Sequence, residues 1–208
     1  MLRNNFKLFC MLMVISVFLP SGVFAASFGI YADYGSGSGE ADVDTIGPND
    51  FDIDTNLVGL GFQMETDPMT QNRVFSYRCQ AGLESRDLED KDGVTFELAG
   101  VMLNNTFAFG SNVSDNVRIW VGPQVLIGLY AGETDEAYLG DDISFAGVLF
   151  GLGIAAGANF ALGNDAPIIT TTVGIRSFGM AGATEWYDDD DDMTANGSEI
   201  VASVGIMF

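Results

Sequence analysis

The stretch VFSYRCQAGLESR, Val74–Arg86, decides the fold. Phe75, Tyr77, Cys79, Ala81 and Leu83 alternate in it with Ser76, Arg78, Gln80, Gly82, Glu84 and Arg86. Successive side chains of a strand point to opposite faces, so the segment makes a strand with one apolar face and one polar, ionic face. Cys79 sits among the apolar residues and reads as one more small apolar side chain. The same period returns on either side. Val58, Leu60, Phe62 and Met64 oppose Gly59, Gly61, Gln63 and Glu65, and Ile119, Val121, Val125, Ile127 and Leu129 oppose Arg118, Gln124 and Gly128. At the C-terminus Ile200, Ala202, Val204, Ile206 and Phe208 oppose Glu199, Ser203 and Gly205.

Eight such segments are expected: Ser27–Tyr34, Asn56–Glu65, Val74–Arg86, Val94–Asn105, Val117–Tyr130, Ile143–Leu162, Pro167–Trp186 and Glu199–Phe208. All but the eight-residue Ser27–Tyr34 reach the roughly 9–11 residues that a tilted membrane strand needs. Alternation alone also suits a soluble exported β-barrel that binds a ligand. The second face separates the two readings. It carries small residues, or Arg and Glu in nearly matched number, rather than the abundant Lys and Glu of a solvated sheet. Such a face fits a narrow lumen in which unlike charges must meet. The expected architecture is all-β: an eight-stranded antiparallel up-and-down transmembrane β-barrel with its apolar side outward. Phe145–Leu162, uncharged and carrying two Gly-x-x-x-Gly spacings, could instead form a membrane helix. Four glycines weaken that helix, and it would leave neighbouring strands as open edges in lipid.

The N-terminus reads as an export signal. Arg3 and Lys7 precede the apolar run Leu8–Leu19, and Val23 and Ala25 place small residues before a cleavage point at Ala26. The expected division is therefore 1–25 signal peptide and 26–208 barrel, with periplasmic chaperones as partners during export. Removing the signal takes two of the eight basic residues and none of the 29 acids. So acidic a chain is a poor partner for nucleic acid. One cysteine remains, so no internal disulfide forms.

The connections are unequal. Asp67–Asn72, Ser111–Asn116 and Gly163–Ala166 are short turns; Gly35–Thr55, Asp87–Gly93, Ala131–Asp142 and Tyr187–Ser198 form the other, mostly longer set. Short turns at one end and long loops at the other is the outer-membrane plan. With Asp33 and Glu185 counted in, the long-loop end holds 22 of the 29 acids. Tyr34, Tyr130, Tyr138, Trp186 and Tyr187 lie near loop ends and read as an interfacial aromatic girdle.

The last segment, EIVASVGIMF at Glu199–Phe208, resembles the terminal strand of bacterial outer-membrane proteins, which ends in an aromatic residue. With the export signal and eight strands, the chain resembles the superfamily of small eight-stranded OmpA-, OmpX- and OmpW-like barrels. The resemblance implies an outer-membrane location among lipids and lipopolysaccharide. It also implies recognition by the barrel-assembly machinery through Ile200, Ala202, Val204, Ile206 and Phe208.

Three residue sets are candidates for function. Arg78, Arg86, Arg118 and Arg176 with Glu65, Glu84, Glu97 and Glu199, plus Gln63, Gln80 and Gln124, are expected to line the lumen. They form either a salt-bridged plug, favoured because eight strands enclose little more than side chains, or a narrow path for small or apolar solutes. Pro123 cannot donate to a ladder and suggests a bulge that would re-aim Arg118 and Gln124. The acidic loops, with Asp42, Asp44, Asp50, Asp52, Asp54 and Asp188, Asp189, Asp190, Asp191 and Asp192, read as solvated runs that hold Ca²⁺ or Mg²⁺ loosely, with no specific metal site and no other cofactor. Catalysis is not expected. The chain has no histidine, and a Glu84–Glu97 carboxylate pair across two strands is the one catalytic arrangement the pattern suggests. Mass spectrometry of the exported protein should find a chain beginning at Ala26; a mature form retaining 1–25 would remove the signal assignment.

Overall fold

The computed structural model describes residues 26–43, 51–69, 74–91, 93–134, 143–163, 166–186 and 189–208. Residues 1–25, Asp44, Asp50, Asp188, Tyr138 and Tyr187 lie outside them. Eight strands follow one another: β1 (Ala26–Val43), β2 (Phe51–Thr66), β3 (Phe75–Asp90), β4 (Thr95–Ser114), β5 (Val117–Thr134), β6 (Ser144–Ala161), β7 (Ile168–Trp186) and β8 (Asp189–Met207). Each pairs antiparallel with its neighbours, and β1 pairs with β8, so the sheet is a closed barrel. Closure leaves no strand edge to be satisfied in lipid. It runs to the last residue: Phe208 N–H donates to Phe28 O at 2.8 Å, and Phe28 N–H to Phe208 O at 3.3 Å.

The register also sets the tilt. A walk from Ile30 across successive partners passes Phe62, Ala81, Leu103, Ile127, Phe150, Gly179 and Asn196 and returns to β1 at Glu40, ten residues on. A stagger of that size tilts strands by roughly 35–45° to the axis, the usual range for closed barrels. Phe145–Ala161 lies in β6, so this stretch is strand rather than helix. Pro123 introduces no shift either. The β4–β5 pairing skips from Thr106↔Gln124 to Phe109↔Val121 with the register unchanged, and the irregularity sits at Asn112/Ser114 beside the turn. Arg118 and Gln124 consequently keep their inward aim.

The outward face carries a belt of exposed apolar residues on every strand: Phe28, Leu60, Leu83, Val101, Val121, Ile154, Ile175 and Ile200 are examples. Monomeric soluble proteins rarely expose contiguous apolar patches beyond a few hundred Å². A belt closing on itself is the lipid-facing surface of a membrane barrel. Tyr77 and Asn105 lie on this face, and the phenol donates to the Asn105 amide oxygen at 2.5 Å.

The strands run 16 to 20 residues, well past the span. Much of what the pattern reads as loop is strand: Gly35–Val43, Phe51–Thr55 and Asp189–Ser198 all pair in the ladder. Asp42, Asp52, Asp54 and Asp189–Asp192 therefore belong to β1, β2 and β8. Beyond the belt the two faces exchange polarity without any change of register. In β2, outward Phe62, Leu60 and Val58 give way to Asn56, Asp54 and Asp52, while inward Gln63 and Glu65 give way to Leu57, Thr55 and Ile53. In β3, outward Leu83 is followed by Ser85, Asp87 and Glu89, and inward Arg86 by Leu88. Inside this far end, Ile53, Leu88, Phe96, Leu98, Ile143, Phe145, Met180 and Met193 pack into one apolar cluster.

On the outer face of β2, Leu60→Arg should destabilise the barrel in vesicles by about 2–4 kcal/mol, the range for a charge near the bilayer midplane. Asp54→Arg, six residues back on the same face, should leave it no less stable. Urea titration from lipid vesicles measures both; equal losses would mean that both positions face the same medium.

Candidate functional site: the lumen

The inward positions build the candidate site in tiers. At the short-turn end, Asp67, Pro68 and Met69 of the β2–β3 connection lie within reach of inward side chains. Asp67 adopts a left-handed φ of 49°, which Asp tolerates better than most residues. Inward side chains hold the turn by its carbonyls. Arg118 donates to Asp67 O at 3.2 Å and to Val74 O at 3.1 Å, Asn159 to Pro68 O at 2.9 Å and Asn112 to Met69 O at 3.1 Å.

The next tier is one ion pair, fully wrapped. Arg78 Nη2 lies 2.6 Å from Glu65 Oε2, and its other donors reach Thr172 Oγ1 at 2.8 Å and Asn159 Oδ1 at 2.9 Å. Ser76 and Asn159 each donate to Glu65 Oε1 at 3.1 Å. The Arg78 guanidinium stacks 4.5 Å from the Trp120 ring centroid. That ring lies flat against the wall because Gly157 beneath it has no Cβ; one added there would collide with the indole.

Amides fill the middle. Gln63, Gln80 and Asn104 stand abreast on β2, β3 and β4. Gln63 donates to Thr170, Asn104 to Gln80, Gln80 to Ser203 and Gln124 to Thr106, at 3.1 to 3.3 Å.

Above them four ionic side chains close a ring. Arg86 reaches Glu199 at 2.7 Å and Glu84 at 2.8 Å; Arg176 pairs with Glu199 and, at 3.4 Å, with Glu84. Glu84 and Arg86 share a face of β3 at spacing two, and Arg176 and Glu199 are direct partners on β7 and β8. Tyr130 donates to Glu84 at 2.6 Å, and the Arg86 guanidinium stacks 4.9 Å from the Phe178 centroid. All four members of the ring are buried. The apolar cluster of the far end caps this tier.

Ten of the eleven lumen residues expected from the sequence are inward and buried. Glu97 is not. It is exposed on the outer face, beside Asp87, because it shares the parity of Val101 and Leu103. A Glu84–Glu97 pair is thereby excluded: the wall of the barrel separates them. The fourth buried acid is Asp33, which parity places opposite Phe28, Ile30 and Tyr34 and which the sequence reading assigned to the loop end. Tyr130 points inward to Glu84 rather than joining a girdle, whereas Tyr34 is 60% exposed on the outer face. Asn104, Trp120, Asn159 and Thr172 complete the network and share the inward parity of their strands.

The outer acids are arranged differently. Asp54 is exposed, and Asp52 pairs with exposed Lys91, whose ammonium the carboxylate holds above its usual range. Among the described residues no three acidic or cysteine side chains are placed to hold a metal ion.

Fold and lumen together define a small outer-membrane-type β-barrel. The same fold appears in the outer-membrane protein OprG of Pseudomonas aeruginosa, to which the chain is similar at 10% identity and a TM-score of 0.57, over 90% of this chain and 98% of that one. Neisserial surface protein A (12% identity, TM-score 0.41, 88% and 99% covered) and the outer-membrane protease OmpT of Escherichia coli (8%, 0.45, 88% and 95%) also match. No family model matches the sequence, and no curated protein matches it.

Breaking the ring should be costly. Arg86→Met leaves two buried carboxylates sharing one guanidinium, and removing one partner of a buried pair typically costs about 3–5 kcal/mol. The double variant Arg86→Met, Glu84→Gln should recover part of that loss. Denaturant titration of the refolded barrel checks both; an Arg86→Met variant as stable as the parent would remove the ring from the stability of the fold.

Proposed function

We propose that the chain is an integral outer-membrane barrel whose lumen is closed by its own side chains and whose role is structural and at the cell surface. The ionic ring carries this reading. It spans β3, β7 and β8 at one level of a barrel only about wide enough for side chains, and its neighbouring tiers leave it no solvated side. Buried Pro68, held through its carbonyl by Asn159 at one end, and the apolar cluster at the other support closure in the same way. Far-end strands bearing Glu40, Asp52, Asp54, Asp87 and Glu97 outward offer an acidic collar to cations and to lipopolysaccharide. A surface recess of about 690 Å³ lies in that collar, bordered by Ser38, Glu40, Asp54 and Ser198 among others.

The proposed role is non-catalytic. The sequence supplies no histidine, and Glu65, Glu84 and Glu199 are each engaged by a guanidinium, so none is poised as a base. Membrane insertion through the terminal strand and loose retention of Ca²⁺ or Mg²⁺ by the outer acids belong to the same proposal. The alternative is a narrow solute path through the amide tiers.

Planar-bilayer recording separates the two. The closed barrel should show no steady conductance, and Arg86→Ala with Arg176→Ala should open one or unfold the chain. Steady conductance by the unaltered protein, unchanged when the ring is cut, would establish the solute path instead.

A further inference from the structure

Most buried polar atoms of the lumen have partners, and several of the exceptions cluster. Tyr31 Oη, Asp33 Oδ1, Gln63 Oε1 and Asn104 Oδ1 are buried without a hydrogen-bond partner. They gather about Gln80. Gln63 and Asn104 flank it in the ladder, and Asn104 already donates to it. Tyr31 lays its hydroxyl against Gly82, the next inward residue of β3, where a Cβ would strike it. Gln80 reaches across to Ser203, the direct partner of Asp33 on β8, and Ser203 hydrogen-bonds the Asp33 carboxylate.

The deficit has a definite sign. Asp33 Oδ1 and two amide carbonyl oxygens lack donors, and the phenol oxygen, whose O–H can turn away, can serve as a further acceptor. The charges agree. Arg78 with Glu65 is neutral, and so is the ring of Arg86, Arg176, Glu84 and Glu199. The remaining buried cation, Arg118, is spent on backbone carbonyls at the short-turn end. Asp33 is left as a buried acid with no ion pair among the described residues. Ser203 compensates one of its oxygens, but a buried carboxylate without an ion pair is still costly.

We propose that this tier is an interior binding site for a monovalent cation, sodium or potassium, coordinated by the Asp33 carboxylate with the Gln63 and Asn104 carbonyl oxygens and the Tyr31 hydroxyl. Hard oxygen ligands suit alkali and alkaline-earth ions. A single carboxylate matches one positive charge, whereas protein sites for divalent ions generally gather more acidic ligands. The site differs from the loose collection of Ca²⁺ or Mg²⁺ by the outer acids in place, charge and ligand set.

The test uses the full-length mature chain refolded in uncharged detergent micelles. Thermal unfolding is followed in sodium, potassium or choline chloride at matched ionic strength, since choline screens surface charge but is too large for the tier. A ligand that binds only the folded state raises the midpoint with its concentration. Sodium or potassium should raise it by several degrees beyond choline, the scale of shift that about 1 kcal/mol gives a domain of this size. Asp33→Asn should abolish the excess, and Asp54→Asn, which removes an outer acid, should leave it intact. If Asp33→Asn does not refold, Asn104→Leu and the sodium NMR line width of the parent protein answer the same question: broadening that potassium reverses supports the site. Equal midpoints in all three salts, or an excess that survives both lumen substitutions, would overturn it in favour of water or a protonated Asp33.

Discussion

The ionic tiers inside this barrel are arranged around the need to neutralise charge where there is little water. Arg86, Glu84, Arg176 and Glu199 close a ring in which each guanidinium touches both carboxylates and each carboxylate both guanidiniums. A ring spreads each charge over two partners, so side-chain movement that weakens one contact leaves the other. The strands supply the geometry: spacing two on β3 and direct opposition on β7 and β8 put the four groups at one level. The other tiers obey the same constraint with fewer charges, as when Arg78 and Glu65 take their remaining hydrogen bonds from Ser76, Asn159 and Thr172. Buried ion pairs are often no more stabilising than apolar replacements. The ring's distinctive property is specificity, because slipping one strand by a residue would send a charge into lipid.

The membrane-spanning part of this design is plain in the sequence. Val74–Arg86 shows both faces of its strand, and parity alone places Arg78, Arg86, Arg118 and Arg176 in the lumen. Glu97 has the chemistry of a lumen acid, but its parity with Val101 and Leu103 puts it on the outer face. Asp33 is hidden in the pattern because it adjoins the acids clustered at the loop end, yet it is buried. The far ends of β1, β2 and β8 were harder to read for a physical reason. There the outer residues turn polar and the inner ones apolar or small, so the period of two persists while its sign reverses. A search for apolar-out alternation sees the pattern stop, and Gly35, Gly37 and Gly39 on β1 add the composition of a loop. The amide tier and the hold on Pro68 depend on which distant strands meet, which no local pattern contains.

Glycine has a second use in the wall. Gly157 and Gly82 lie on inward faces, where the Trp120 ring and the Tyr31 hydroxyl press against backbone. Large interior side chains can thus lie along the wall instead of projecting across the bore. An eight-stranded barrel holds six buried aromatic side chains, four guanidiniums and a bank of amides only if some inward positions remain empty of side chain.

The exchange of faces beyond the apolar belt makes the upper barrel a water-soluble structure with its own apolar core, standing on the membrane part and continuous with it. On β2 and β3 the seven residues beyond Val58 and Leu83, at roughly 3.3 Å each and tilted as the rest, carry the strand ends on the order of 15–20 Å past the lipid belt. The far-end connections therefore begin at these strand ends and not at the lipid belt. Their sequences can then change, in length or in charge, without touching either the lipid belt or the ionic ring. Insertion and surface identity are thereby separate properties of one continuous sheet.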